Sequence, residues 1–206
     1  MTTRKKKPQA EASLPVLSLS EWCVRALDDI DAVRRSRKYA IDMGRWHEPN
    51  FSPGDRDVCY VCFAGSVLAN ELQPSVEFDL DPTALREIAD KPGACLKTDT
   101  GYYGGETLLG LQELMRVLNV LRDGHISSAM DDARECSLIT PACQKRCNAL
   151  RVKVLNDEDF GDSLDVRVPE YGGDTDYETR AKADAAYQAW RKGMANVVAK
   201  LRKLKL

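Results

Sequence analysis

The run Asp57-Val58-Cys59-Tyr60-Val61-Cys62-Phe63-Ala64-Gly65-Ser66-Val67-Leu68-Ala69 is the most apolar stretch of this chain, and it follows a Pro-Gly turn. Residues of that character leave water on folding, so the run marks the centre of the core. Val58, Val61, Cys62, Gly65, Leu68, Ala69 and Leu72 recur at helical spacing, which predicts a helix over 57–72. Cys62 then reads as a core residue. Cys59 falls on the first turn, beside the loop that carries His47.

The flanking patterns are also helical. Ser18-Leu19-Ser20-Glu21 is a capping box. Behind it Leu19, Trp22, Cys23, Ala26, Leu27, Ile30 and Val33 form one apolar stripe, with Asp28, Asp29, Asp31, Arg34 and Arg35 off it. Asp81-Pro82 opens a short helix to about residue 89. A long helix over 105–122 buries Leu108, Leu111, Leu114, Met115, Leu118 and Leu121, and Gly124 stops it. Shorter helices follow over 126–136 and from Thr140-Pro141 to about 150. From about 175 to the end, Tyr187, Trp190, Met194, Val197, Val198, Leu201 and Leu204 form a last stripe. Residues 44–57 and 90–104 read as loops. Alternation over 39–43 and 164–168 allows one pair of short strands. The expected fold is mainly α: a single-domain helical bundle with at most a small two-stranded β element and a long C-terminal helix. Its parts are a disordered basic arm (1–15), a helical core (16–155), an acidic loop or β arm (156–174) and a long amphipathic helix (175–206).

Composition enters through what it excludes. A net charge of −2 gives no bulk pull toward nucleic acid or membrane. No run of about 18 apolar residues is present, so no membrane span is expected. The start is polar and basic, without the apolar segment of a secretory signal. Seven cysteines, an odd number in a chain without an export signal, read as reduced thiols rather than a disulfide framework. The expected location is the cytoplasm, or the host cytoplasm for a phage-encoded chain.

Three constellations carry candidate chemistry. Cys59 and Cys62 have the spacing of half a zinc site, and Cys143 and Cys147 share a helical face, so the four could complete a thiolate tetrahedron, with His47 or Cys95 as substitutes. The competing reading is that these are buried core thiols. No cofactor other than such a zinc ion is expected. Asp157, Glu158, Asp159, Phe160, Asp162 and Tyr171 make an acidic, aromatic-bearing segment that suits a basic protein partner; its competing reading is a solvated loop. Arg4, Lys5, Lys6 and Lys7 at one end, with Lys200, Arg202, Lys203 and Lys205 at the other, could meet phosphates, although basic residues also complement the end of a helix. Thr98 to Thr107 carries a Gly pair at a helix start but no phosphate-loop motif, and reads as a tight turn. His47 and His125 are the only histidines, and neither stands in a recognised catalytic context.

No named family is recognised in the chain. Trp46 followed by Cys59-Tyr-Val-Cys62-Phe-Ala-Gly65, in a short helical chain without catalytic signatures, resembles small accessory proteins of tailed bacteriophages and prophages. The likeness implies no site residue. The resulting expectation is a small non-enzymatic cytosolic binding or assembly protein that acts by protein–protein contacts. The alternatives are a nucleic-acid-associated protein using its basic termini and a zinc-stabilised adaptor. Homodimerisation through the long last helix is a further expectation, from its length.

Overall fold

The computed structural model describes residues 12–50, 58–155 and 180–206. The capping box forms: Ser18 N–H donates to Glu21 Oε2 at 2.8 Å, and Glu21 N–H donates to Ser18 Oγ at 3.3 Å. It starts helix α1, Leu19–Arg35, whose stripe is buried from Leu19 to Val33. Trp22 on that stripe donates its indole N–H to the Leu138 carbonyl at 2.8 Å, which satisfies the one polar atom of a fully buried ring. Leu17 bridges Ile139 beside this contact and ties the start of α1 to the segment leading into a later helix.

The apolar run departs from the helix expected over 57–72. Strands β1 (Tyr39–Ile41), β2 (His47–Asn50) and β3 (Val58–Val61) form a sheet in the order β1-β3-β2. β1 runs parallel to β3 and β2 antiparallel, with Tyr39 opposite Cys59 and His47 opposite Val61. Val58-Cys-Tyr-Val61 is β-branched and aromatic, and a short buried run of that kind satisfies strand and helix patterns alike. The pairing expected between 39–43 and 164–168 involves residues outside those described; the observed partner of β1 is β3. β2 lies within the expected loop, and its Pro49 sits in an edge strand, where a missing N–H is tolerated.

The chain turns into a helix only at Cys62, whose Sγ caps it by accepting from Gly65 N–H at 3.3 Å. α2 covers Phe63–Val67 and continues as a π-helical turn, Leu68–Leu72. Gly65 is obligatory here: a Cβ would lie 1.6 Å from the Trp46 carbonyl oxygen, because the chain entering β2 crosses directly over α2.

α3 (Pro82–Ala89) starts from an Asp81 cap, as expected. A hairpin of β4 (Cys95–Lys97) and β5 (Tyr102–Gly104) occupies the second expected loop. It feeds α4 (Gly105–Arg122), on which all six expected leucine and methionine positions are fully buried. α5 (Ile126–Ala133), α6 (Pro141–Leu155) and α7 (Arg180–Leu204) complete the described elements. The fold is mainly α, but its β content exceeds the small two-stranded element expected, comprising a three-stranded sheet and a hairpin.

α7 lies along α1 and seats its stripe on its own chain. Trp190 is fully buried, edge-on to Phe63 with ring centroids 5.4 Å apart, and donates to the Arg122 carbonyl at 3.3 Å. Tyr187 donates to Asp31 at 2.7 Å while the Arg34 guanidinium stacks 4.0 Å from its ring centroid. The apolar stripe of the helix whose length suggested homodimerisation is therefore seated within the chain. Among the described residues, no helix is long and apolar enough to cross a membrane.

Candidate functional site

The π-helical turn is the least regular part of the described core. Its hydrogen bond from Gln73 N–H to the Leu68 carbonyl spans five residues at 3.3 Å. Wide turns of this kind push a side chain out of the helical register and recur at functional sites. The turn ends on Gln73 in the left-handed conformation, φ 52° and ψ 57°, which favours glycine. The β4–β5 turn secures the freed backbone: Thr100 Oγ1 donates to the Leu72 carbonyl at 2.6 Å and meets Tyr103 Oη at 2.8 Å, and Asp99 N–H donates to the Gln73 carbonyl at 3.1 Å.

This turn, the end of α1 and the start of β1 enclose a cleft of about 220 Å³. Ser36, Lys38, Tyr39, Asn70, Gln73 and Asp99 supply its polar lining, and Ala32, Val33, Ala69 and Pro74 its apolar part. Lys38 and Asp99 place opposite charges on the rim.

Two buried polar atoms among the described residues have no hydrogen-bond partner, Asp29 Oδ2 and His47 Nε2. Each belongs to a residue in contact with the cleft's lining. Asn70 donates to Asp29 Oδ1 at 2.6 Å, and the Tyr39 ring meets the His47 ring edge-on at 5.9 Å. Asp29 is 3% exposed, and burial pushes its carboxyl up to about 7. The Asn70 hydrogen bond and Arg25 act against that rise, whereas Glu71 and Asp28 add to it. Arg25 is itself held by Glu71 in a two-pronged ion pair at 2.5 and 2.6 Å. His47 is fully buried; its Nδ1–H donates to the Phe78 carbonyl at 2.8 Å, and burial pushes its pKa down. The arrangement places a carboxyl that titrates near neutrality behind one wall of the cleft and a buried imidazole behind another.

The four cysteines of the candidate zinc site are not brought together. Cys59 lies in the central strand of the sheet and Cys62 caps α2, whereas Cys143 and Cys147 lie on α6 against the start of α1. Among the described residues, no three His, Cys, Asp or Glu side chains converge in a metal-ligating group. The reason is the strand at 58–61, which turns Cys59 into the sheet's interior face. Neither substitute joins a set: His47 is engaged at Phe78, and Cys95 is exposed on the hairpin. Burial pushes the Cys23, Cys59 and Cys136 thiols up to about 12. Cys62 is pushed up by the same cause.

The remaining candidates fall in three places. Asp157, Glu158, Asp159, Phe160, Asp162 and Tyr171 lie outside the described residues, as do Arg4, Lys5, Lys6 and Lys7. Lys200, Arg202, Lys203 and Lys205 are exposed at the end of α7, where Arg146 of α6 joins them by donating to the Leu204 carbonyl at 2.9 Å. Residues 98–101 form the hairpin turn, which agrees with the tight-turn reading. His125 is exposed at the start of α5 and donates its backbone N–H to the Val120 carbonyl.

Asp29, Asn70 and Gln73 carry no signal of their own in the sequence. Asp28, Asp29 and Asp31 crowd one stretch of α1 off its apolar stripe, and helical periodicity alone does not mark which of them a neighbouring element covers. Comparison with protein-family models, curated proteins and solved structures found no match.

Proposed function

We propose that this chain is a small non-enzymatic binding or assembly protein that acts through protein contacts, in the manner of the phage accessory proteins it resembles. The observation that carries the reading is the placement of charge. Between the end of α6 and the start of α7, residues 157–178 hold nine Asp or Glu and one Arg. The following helix is anchored to α1 through Arg34–Asp184 at 2.6 Å and Arg191–Asp31 at 3.3 Å. A concentrated acidic segment leading into an anchored helix offers a basic protein surface long-range attraction and a fixed point of attachment. The thiols of Cys23, Cys59, Cys62 and Cys136 are buried and held protonated, which suits packing better than nucleophilic chemistry.

The test is capture of host proteins on the immobilised full chain, against a variant carrying Asp157→Asn, Glu158→Gln, Asp159→Asn and Asp162→Asn. A specific partner retained by the wild type, released by salt and lost from the variant is the expected result. A partner retained equally by both would remove the acidic segment from the reading.

One observation favours a second reading. α6 adds Arg146 to the basic end of α7, and Lys145 lies beside it, so these two elements build a wider positive surface than the last helix alone. Such a surface suits phosphate contacts. Binding of duplex DNA that weakens with salt, with the slope falling by about one for each of Lys200→Gln and Lys203→Gln, would establish it.

A further inference from the structure

We propose that the cleft between the end of α1, the π-helical turn and the start of β1 is a binding site for a guanidinium group. The site uses other residues than the acidic segment 157–178. Two helices end on it. α1 runs for 17 residues, and its last turn brings Ala32, Val33 and the cap Ser36 to the lining. α2 and its π-helical continuation run from Phe63 to Leu72 and bring Ala69, Asn70 and the cap Gln73. The carbonyl end of a helix carries partial negative charge, so two such ends favour a cation in the space between them. Both ends are also irregular. Ser36 N–H, the regular donor to the Ala32 carbonyl, bonds the Val33 carbonyl at 2.9 Å instead. Gln73 N–H, the regular donor to the Ala69 carbonyl, bonds Leu68 at 3.3 Å, and Pro74, one position further, has no N–H.

The polar side chains of the lining spend donors and keep acceptors. Asn70 Nδ2 donates to Asp29 Oδ1 at 2.6 Å, and Gln73 Nε2 donates to the Asn70 carbonyl at 3.2 Å. Among the described residues, neither carboxamide oxygen accepts a hydrogen bond. Asp99 adds an exposed carboxylate on the rim. Behind Asn70, Asp29 Oδ2 is a further acceptor without a partner, in a residue 3% exposed. A buried polar atom left unpaired is rare enough to call for an account, and a donor group held in front of Asn70 supplies one. The opposing charges are Lys38 on the rim and Arg35 at the end of α1, both exposed. Water and salt screen exposed charges more than they screen the carbonyls and carboxamides of the cleft's wall.

The number and spread of the acceptors select the cation. Oxygens come from three places: the cap of α1 at Ser36, the π-helical turn at Asn70 and Gln73, and the β4–β5 turn at Asp99. A guanidinium presents five N–H donors in a planar fork, whereas an ammonium presents three around one point. The guanidinium is also the more weakly hydrated of the two, and it stacks on aromatic rings such as that of Tyr39. At about 220 Å³ the cleft is smaller than the roughly 300–1,000 Å³ that takes a drug-sized ligand. It suits one guanidinium head and its methylene stem, with Val33 and Pro74 as the apolar surface for the stem.

The experiment is an NMR titration of the isotope-labelled full chain with N-acetyl-argininamide. Saturable binding with a Kd of about 1 mM is expected for a ligand of this size. The shifted amides should lie within 36–39, 69–74 and 98–100. N-acetyl-citrullinamide keeps the shape without the charge; it and N-acetyl-lysinamide should each bind at least about tenfold more weakly. Ethylguanidinium separates the two sources of the group. If it binds no more tightly than N-acetyl-argininamide, the ligand is an arginine side chain of a protein; if it binds more tightly, the ligand is a free guanidino compound. Asp99→Asn should weaken binding about threefold and Lys38→Gln should tighten it by about the same factor, the scale of single exposed charges. Both side chains are exposed, so the fold is kept. Absence of saturation, shifts that map to other residues, equal binding of the citrulline or lysine compound, or no change in either variant overturns the proposal.

Discussion

Replacing Asp29 by asparagine should remove most of a pH dependence that this one carboxyl imposes on stability. The folded-state value lies at about 7, against 3.8 for a free carboxyl. Between those two values the folded chain holds a proton that the unfolded chain has released, so stability falls as pH rises through the window and levels off above it. Each pH unit of separation is worth about 1.4 kcal/mol, which makes the full cost of ionising Asp29 in the folded chain about 4 kcal/mol. That is a large part of the 5–15 kcal/mol, roughly, that holds a domain together. The structural cause is poor solvation: the carboxyl is 3% exposed, accepts one hydrogen bond from Asn70, and its second oxygen has no partner. The amide introduced by Asp29→Asn would keep the shape and an oxygen for Asn70 to bond, but carries no charge at any pH. Urea unfolding of both proteins from pH 4 to pH 8 is the assay. The two should be of similar stability at pH 4, and the variant should be the more stable by several kcal/mol at pH 8. Parallel curves across that range would refute the assignment of a buried, poorly solvated carboxyl to Asp29.

Two further outcomes test the packing. Gly65→Ala places a methyl 1.6 Å from the Trp46 carbonyl oxygen, so either α2 or the chain entering β2 must move. A loss of about 3 kcal/mol or more, or failure to fold, is expected from overpacking against backbone; a loss under about 1 kcal/mol by urea unfolding would show that the two segments do not cross there. Native full chain treated with iodoacetamide should gain label first at Cys95, the one exposed cysteine among the seven; mass spectrometry that finds Cys23, Cys59 or Cys62 labelled at a comparable rate would contradict their burial and raised thiol values.

The helical elements were legible because their signals are local. The Ser18–Glu21 box, the Asp81-Pro82 start and the Gly124 stop act within a few residues, and the structure places each where expected. The stripes of α1, α4 and α7 are buried as their periodicity implied. The apolar run was legible as core but not as strand. Its buried positions satisfy both periods, and the choice went to the strand because β1 and β2 are available on either side to pair with it. The CxxC followed from that choice: Cys59 became the centre of a sheet and Cys62 a helix cap, so the spacing that suggested a shared metal reflects neither a helix turn nor a knuckle.

The sequence by itself determined where most helices begin and end and which of their faces are apolar, since these depend on propensities, caps and period over a few residues. Tertiary structure alone decided that 58–61 is a strand, that Asp29 rather than Asp28 or Asp31 goes inside, that α7 buries its stripe on its own chain, and that Cys143 meets the start of α1. Each of those outcomes rests on a partner far away in the chain, and the free energy of a buried group is set by what surrounds it rather than by its neighbours in sequence.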